Sequence, residues 1–159
     1  MASITPKGLF NYLITLLKVP RIIRLIHTAK GLRPFLPEFR VMETCGPSVG
    51  GCAFRKQQLI HVSSWILQDA SVAKGVVRHE LAHLIHTHID TGGTAHGKEF
   101  SQILRIVSPR GWRKDKHFRW EPEIVKAYTQ IHPNNPMKKL TARKLFIPFM
   151  AKVSPTAIA

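Results

Sequence analysis

The sequence predicts one compact domain in which a few short strands are set between helices. Three observations carry this. The 159 residues are 44% hydrophobic, enough to build a single core. Apolar runs at residues 39–43, 52–54 and 59–62 have the length and alternation of strands, with turn residues between them. From Val72 the spacing becomes helical, through Val76 and Val77 to Leu81, Leu84 and Ile85.

Residues 7–30 are apolar and basic. Leu9, Phe10, Leu13, Ile14, Leu16 and Leu17 are followed by Ile22, Ile23, Leu25 and Ile26, with Lys18, Arg21 and Arg24 interrupting. No uninterrupted stretch approaches the ~20 apolar residues of a membrane span. The cations lie within and after the apolar run, which argues against a signal peptide. A transit peptide and a membrane-surface helix are minority readings. The favoured one is a basic segment, 1–37, of one or two helices packed on the domain and split at Pro20. Pro34 and Pro37 bias the chain to extended structure before the strand at Phe39–Glu43. Gly46 to Gly51 reads as a loop, and residues 52–62 as a hairpin turning at Arg55 to Gln58. Cys45 and Cys52 read as small core residues at strand positions, and a count of two fits a reducing, cytoplasmic or DNA-associated location. Ser63, Ser64 and Asp69 offer N-caps for the helix that follows.

That helix carries His79-Glu80-Leu81-Ala82-His83. Residues four apart share a helix face, so both imidazoles can bind one metal ion. Glu80 stands beside them, placed to take a proton from water without being a ligand. Gly92 and Gly93 allow the chain to turn back, so that His96 can supply a third imidazole and leave the fourth position of a catalytic zinc open. His86, His88, Asp90 and Glu99 compete for that third place. His86 shares the face of His79, but residues seven apart are separated by about 10 Å along the axis, so a ligand from another segment suits a tetrahedral ion better. Phe100, Ile103, Leu104 and Val107 begin a second amphipathic helix, which Ser108-Pro109-Arg110-Gly111 ends. A further helix starts at Pro122 and carries Ile124, Ala127, Tyr128 and Ile131. The domain is expected to span 38–132, with a basic tail over 133–159.

The formal net charge is +15 and lies on the flanks. Residues 1–37 hold six Lys or Arg and no acid, residues 38–100 six of each sign, and residues 101–159 twelve cations against three acids. Basic arms around a neutral centre point to a polyanion, with nucleic acid first. Arg110, Trp112, Arg113, Lys114, Lys116 and Arg119 interleave rings with cations, and Lys138, Lys139, Arg143 and Lys144 extend the charge into the tail. Such a mixture suits sequence-independent binding of single- or double-stranded DNA, although Trp112, Phe118 and Trp120 serve equally well as cover for the core.

Residues 39–120 resemble the SprT-like family of zinc metallopeptidases, which includes the Spartan-type DNA-dependent proteases. The resemblance rests on GGCAFRKQQLIHVS, then HELAH, then AHGKEF at this spacing, with HFRW after it. It implies an α+β zincin-like fold, with a small antiparallel sheet packed on the HExxH helix. It also implies one zinc ion held by His79, His83 and His96, and Glu80 as general acid and base. The implied activity is cleavage of proteins bound or crosslinked to DNA. The chain has no cysteine after Cys52, so the four-cysteine zinc ribbon of many members is missing and the basic flanks would have to hold the DNA. His117 and Tyr128 are weak candidates for contact with the oxyanion. The competing function is a non-catalytic nucleic-acid-binding protein with a structural zinc, which would have no need of Glu80. A peripheral membrane protein ranks third.

Overall fold

The computed structural model describes residues 2–31, 33–45, 49–89, 92–116 and 122–134. Two short helices, α1 (Pro6–Leu17) and α2 (Pro20–Ile26), precede strands β1 (Glu38–Met42), β2 (Gly51–Phe54) and β3 (Leu59–Ser63). A 3-10 turn over Ser64–Gln68 leads into α3 (Ala70–His88), and α4 (Lys98–Val107), α5 (Trp112–Lys116) and α6 (Pro122–Ile131) follow. Each proline at the head of α1 and α2 sits where its missing N–H costs nothing, so Pro20 starts a helix instead of kinking one. Among the described residues, no helix is long and apolar enough to cross a membrane.

The sheet is mixed, which corrects the antiparallel expectation. Its order is β1-β3-β2, with β2 antiparallel to β3 through the hairpin but β1 parallel to β3. Alternation and strand length carry no information on direction. A side chain decides it here. Gln58, at the end of the hairpin turn with φ 52°, accepts from Leu36 N–H through Oε1 (2.7 Å) and donates from Nε2 to Pro34 O (3.0 Å). Its own carbonyl takes the Glu38 N–H at 2.8 Å. These bonds hold the incoming chain against β3.

Side chains alternate across the sheet. Phe39, Val41, Ala53, Ile60 and Val62 join the main core with α3, and Leu9, Leu13, Leu16 and Ile22 of the N-terminal helices belong to the same core. Met42, Cys45 and Cys52 form a smaller cluster on the other side with Val49 and Phe54. Cys45 lies beyond β1 and not in a strand; both cysteines are free, and their thiols hydrogen-bond each other. Of the three cap candidates only Asp69 caps α3, accepting from Ser71 N–H at 2.8 Å and Val72 N–H at 3.2 Å. Ser63 and Ser64 instead tie down the loop after β1. Ser63 Oγ accepts from Cys45 N–H (2.8 Å) and donates to Val49 O (2.6 Å), and Ser64 Oγ donates to Glu43 O (3.2 Å). The four apolar residues expected to form the packing face of α4, namely Phe100, Ile103, Leu104 and Val107, are all buried.

Candidate metal centre

Helix α3 presents His79 and His83 on one face, both buried. The chain then turns at Gly92 (φ 68°) and Gly93 (φ 79°), backbone conformations that an L side chain adopts only with strain. This returns His96 to the helix. The three Nε2 atoms form a triangle: His79 to His83 3.1 Å, His83 to His96 3.0 Å, His79 to His96 3.2 Å. Phe100 is their floor. Its ring stacks on His83 (4.3 Å, 26°) and lies 5.1 Å from the centres of His79 and His96.

Three neutral imidazole nitrogens cannot all satisfy one another. Each is either an N–H or a lone pair, so at least two of the three are alike and repel at this distance. A cation accepting three lone pairs removes the conflict. Four-coordinate zinc with Zn–N of about 2.0–2.1 Å holds neighbouring nitrogens about 3.3–3.4 Å apart, close to the triangle seen here. The proton positions agree. Asp115 O lies 2.7 Å from His79 Nδ1, which puts the proton on Nδ1 and the lone pair on Nε2. Burial, and then the neighbouring His79 and His96, hold His83 well below the usual histidine range, so it is neutral. The residues fit a metal ion.

The competitors for the third position are occupied elsewhere or lie outside the described residues. His86 donates from Nε2 to Gly92 O at 2.7 Å and so braces the turn. The His88 ring packs on Phe35, 4.9 Å away. The Glu99 carboxylate lies against the backbone of Gly93 and Gly97. Asp90 is not among the described residues. Among those that are, His79, His83 and His96 form a group whose ligand atoms all lie within 4.8 Å of one another.

Glu80 is 3% exposed. Burial holds its carboxyl well above the ordinary range, the neighbouring Cys45 adds to this, and the Arg55 charge opposes it. Glu80 packs against β2. A Cβ placed on Gly51 would lie 3.2 Å from Glu80 Cγ and 2.6 Å from Val76 Cγ1. Gly51, expected to end a loop, is therefore the residue that lets a strand approach the motif helix.

The remaining candidates separate into groups. Arg110, Arg113 and Lys114 are exposed on α5 and the turn before it, and Asp115 of that helix contacts His79. Trp112 is partly buried against the core, with the Arg105 guanidinium 4.2 Å from its ring centre and Arg113 at 5.5 Å. Lys116 donates to Ser101 Oγ at 2.7 Å. Arg119, Lys138, Lys139, Arg143 and Lys144 lie outside the described residues, as do His117, Phe118 and Trp120. Tyr128 is fully buried edge-on against Trp65, at the contact of α6 with the 3-10 turn, and belongs to the core.

The fold and site define a mixed α and β protein with a three-histidine centre that can hold a metal ion. The chain belongs to the SprT-like family, whose model matches residues 27–121, more than half of its length. Comparison with curated proteins and with solved structures gives no match.

Proposed function

We propose that the protein is a zinc-dependent metalloendopeptidase that acts near DNA, on proteins bound or crosslinked to it. The observation that carries this reading is the convergence of three Nε2 atoms, two of them from the helix that also carries the buried Glu80, in a chain of the SprT-like family. His79, His83 and His96 would hold the ion. Zinc, when bound there, supplies Lewis-acid polarisation of a carbonyl and brings deprotonation of water toward neutral pH. The Glu80 carboxylate accepts that proton and then delivers it to the leaving amine nitrogen. Its burial shields the carboxyl from bulk water, and a metal charge beside it would favour the ionised form that takes the proton. Phe100 keeps the floor of the site apolar, and Asp115 O keeps His79 in the ligating tautomer.

DNA enters through charge. Arg110, Arg113 and Lys114 are exposed on the segment that touches His79, and the remaining excess of cations lies at the two ends of the chain. Phosphate contacts of this kind are independent of base sequence. The deciding experiment is cleavage of a protein substrate with and without DNA, for the wild type and Glu80→Gln. The wild type should cleave and a chelator should abolish it. Glu80→Gln should keep its zinc and lose activity by about 10²-fold or more, because an amide can hold water but cannot take its proton. Cleavage by Glu80→Gln at the wild-type rate refutes the mechanism.

A further inference from the structure

The metal centre is joined to the N-terminal helix by hydrogen bonds that run through none of the other ligands. Asp115 is 1% exposed, and its carboxylate accepts from Arg78 Nε at 2.5 Å and Arg78 Nη2 at 3.0 Å. The third guanidinium nitrogen, Nη1, donates to Tyr12 Oη at 2.6 Å. Tyr12 belongs to α1, which ends before the residues matched by the SprT-like family begin. On its other side, the Asp115 main-chain carbonyl accepts from His79 Nδ1 at 2.7 Å.

Each link has a physical consequence. Helix α5 has five residues, too few to be stable alone, so the place of the Asp115 carbonyl depends on what anchors that residue. Lys116 bonded to Ser101 and Trp112 packed on the core hold the helix as a whole, and Asp115 itself is anchored by a two-point guanidinium–carboxylate pair, which fixes orientation as well as distance. Burial works against the charge on Arg78, but the bonds and charge of Asp115, with the Tyr12 hydroxyl, keep it protonated. The carbonyl in turn decides which nitrogen of His79 carries the proton and where the ring points. Arg78 also lies 5.9 Å over the Tyr12 ring, so the two hold each other through ring and hydroxyl.

We propose that Tyr12, Arg78 and Asp115 are positioning residues for His79, so that the docking of α1 sets how tightly the centre holds its metal. This rests on the metal-site reading above and adds a part of the chain outside the family match. A purely structural clamp between α3 and α5 would make the protein less stable when broken, but would leave the folded protein's zinc affinity and the His79 proton where they were.

The test uses the full chain, Tyr12→Phe, Arg78→Lys and Arg78→Met. Zinc affinity is measured by competition with a chromophoric chelator, and the His79 tautomer by ¹⁵N shifts of the metal-free protein. The wild type should carry the His79 proton on Nδ1. Arg78→Met should weaken zinc binding about 10- to 100-fold, the usual effect of losing outer-shell support, and release the tautomer preference. Arg78→Lys, charged but without the fork, should recover only part of the loss. Tyr12→Phe, which deletes one hydroxyl, should weaken binding about 3- to 10-fold. A folded Arg78→Met with wild-type affinity and an unchanged His79 tautomer overturns the proposal. If Arg78→Met does not fold, Tyr12→Phe decides, and unchanged affinity there overturns the link to α1. A wild type that takes up no zinc refutes the metal-site reading instead, and the His79 tautomer in the three variants then decides the relay alone.

Discussion

Gly51→Ala places one methyl group where β2 meets α3. The new Cβ would lie 2.6 Å from Val76 Cγ1, 3.0 Å from His61 O and 3.2 Å from Glu80 Cγ. None of the three yields easily. Val76 is fully buried, His61 O belongs to the central strand, and Glu80 is held on the helix. The strand and helix must therefore part by several tenths of an ångström. Overpacking of this kind costs about 1–3 kcal/mol. For a chain of this size about 2 kcal/mol lowers the melting temperature by about 4–8 °C. Gly92→Ala is the comparison, because its Cβ meets nothing within 4 Å and only its φ of 68° is strained. That costs about 1 kcal/mol, or about 2–4 °C. The displacement at Gly51 falls on Glu80 and not on the ligand nitrogens, so peptide cleavage should drop more than zinc affinity does. Thermal melts, a zinc titration and a cleavage assay of both variants measure this. A Gly51→Ala protein at least as stable as Gly92→Ala would refute the packing argument.

His96→Ala should lose zinc from the purified protein, whereas His86→Ala should keep it and lose only about 1 kcal/mol of stability with its bond to Gly92 O; stoichiometric zinc in His96→Ala would remove His96 from the centre. Burial, aided by the Arg40 charge, pushes His61 down to about 4. The folded protein then binds fewer protons than the unfolded chain below about pH 6.5, so stability is complete above that value and is lost as pH falls toward 4. Between pH 7 and 5 this group should cost about 2 kcal/mol, and denaturation of metal-free His61→Gln should show a pH dependence flatter by that amount; an equal dependence would mean that His61 is protonated in the fold. Replacing Arg110, Arg113 and Lys114 together by Ala should flatten the log–log salt dependence of DNA binding by about 2–3, at about 0.7–0.9 per lost phosphate contact, and an unchanged slope would place the DNA elsewhere.

Much of the centre is written locally. Histidines four apart share a helix face whatever surrounds them, so HELAH aligns His79 and His83 before any tertiary contact forms. Asp69 as a cap, paired glycines as a turn, and the apolar face of α4 follow equally from backbone geometry over a few residues. Long-range contacts decided the rest. Nothing in the 39–43 alternation states that β1 runs parallel to β3, because that depends on Gln58 reaching Pro34 and Leu36. The need for glycine at 51 appears only when α3 lies against β2. Phe100 shows helical periodicity, yet its service as a floor for three imidazoles requires α4 to fold back on α3. Asp115 reads in the sequence as an acid within a basic stretch. Its carbonyl reaches His79 because Arg78, thirty-seven positions earlier, is directed at its carboxylate by the packing of α3 against α5. A helix period is a property of the chain itself, but a contact across the core depends on where two separate elements come to rest.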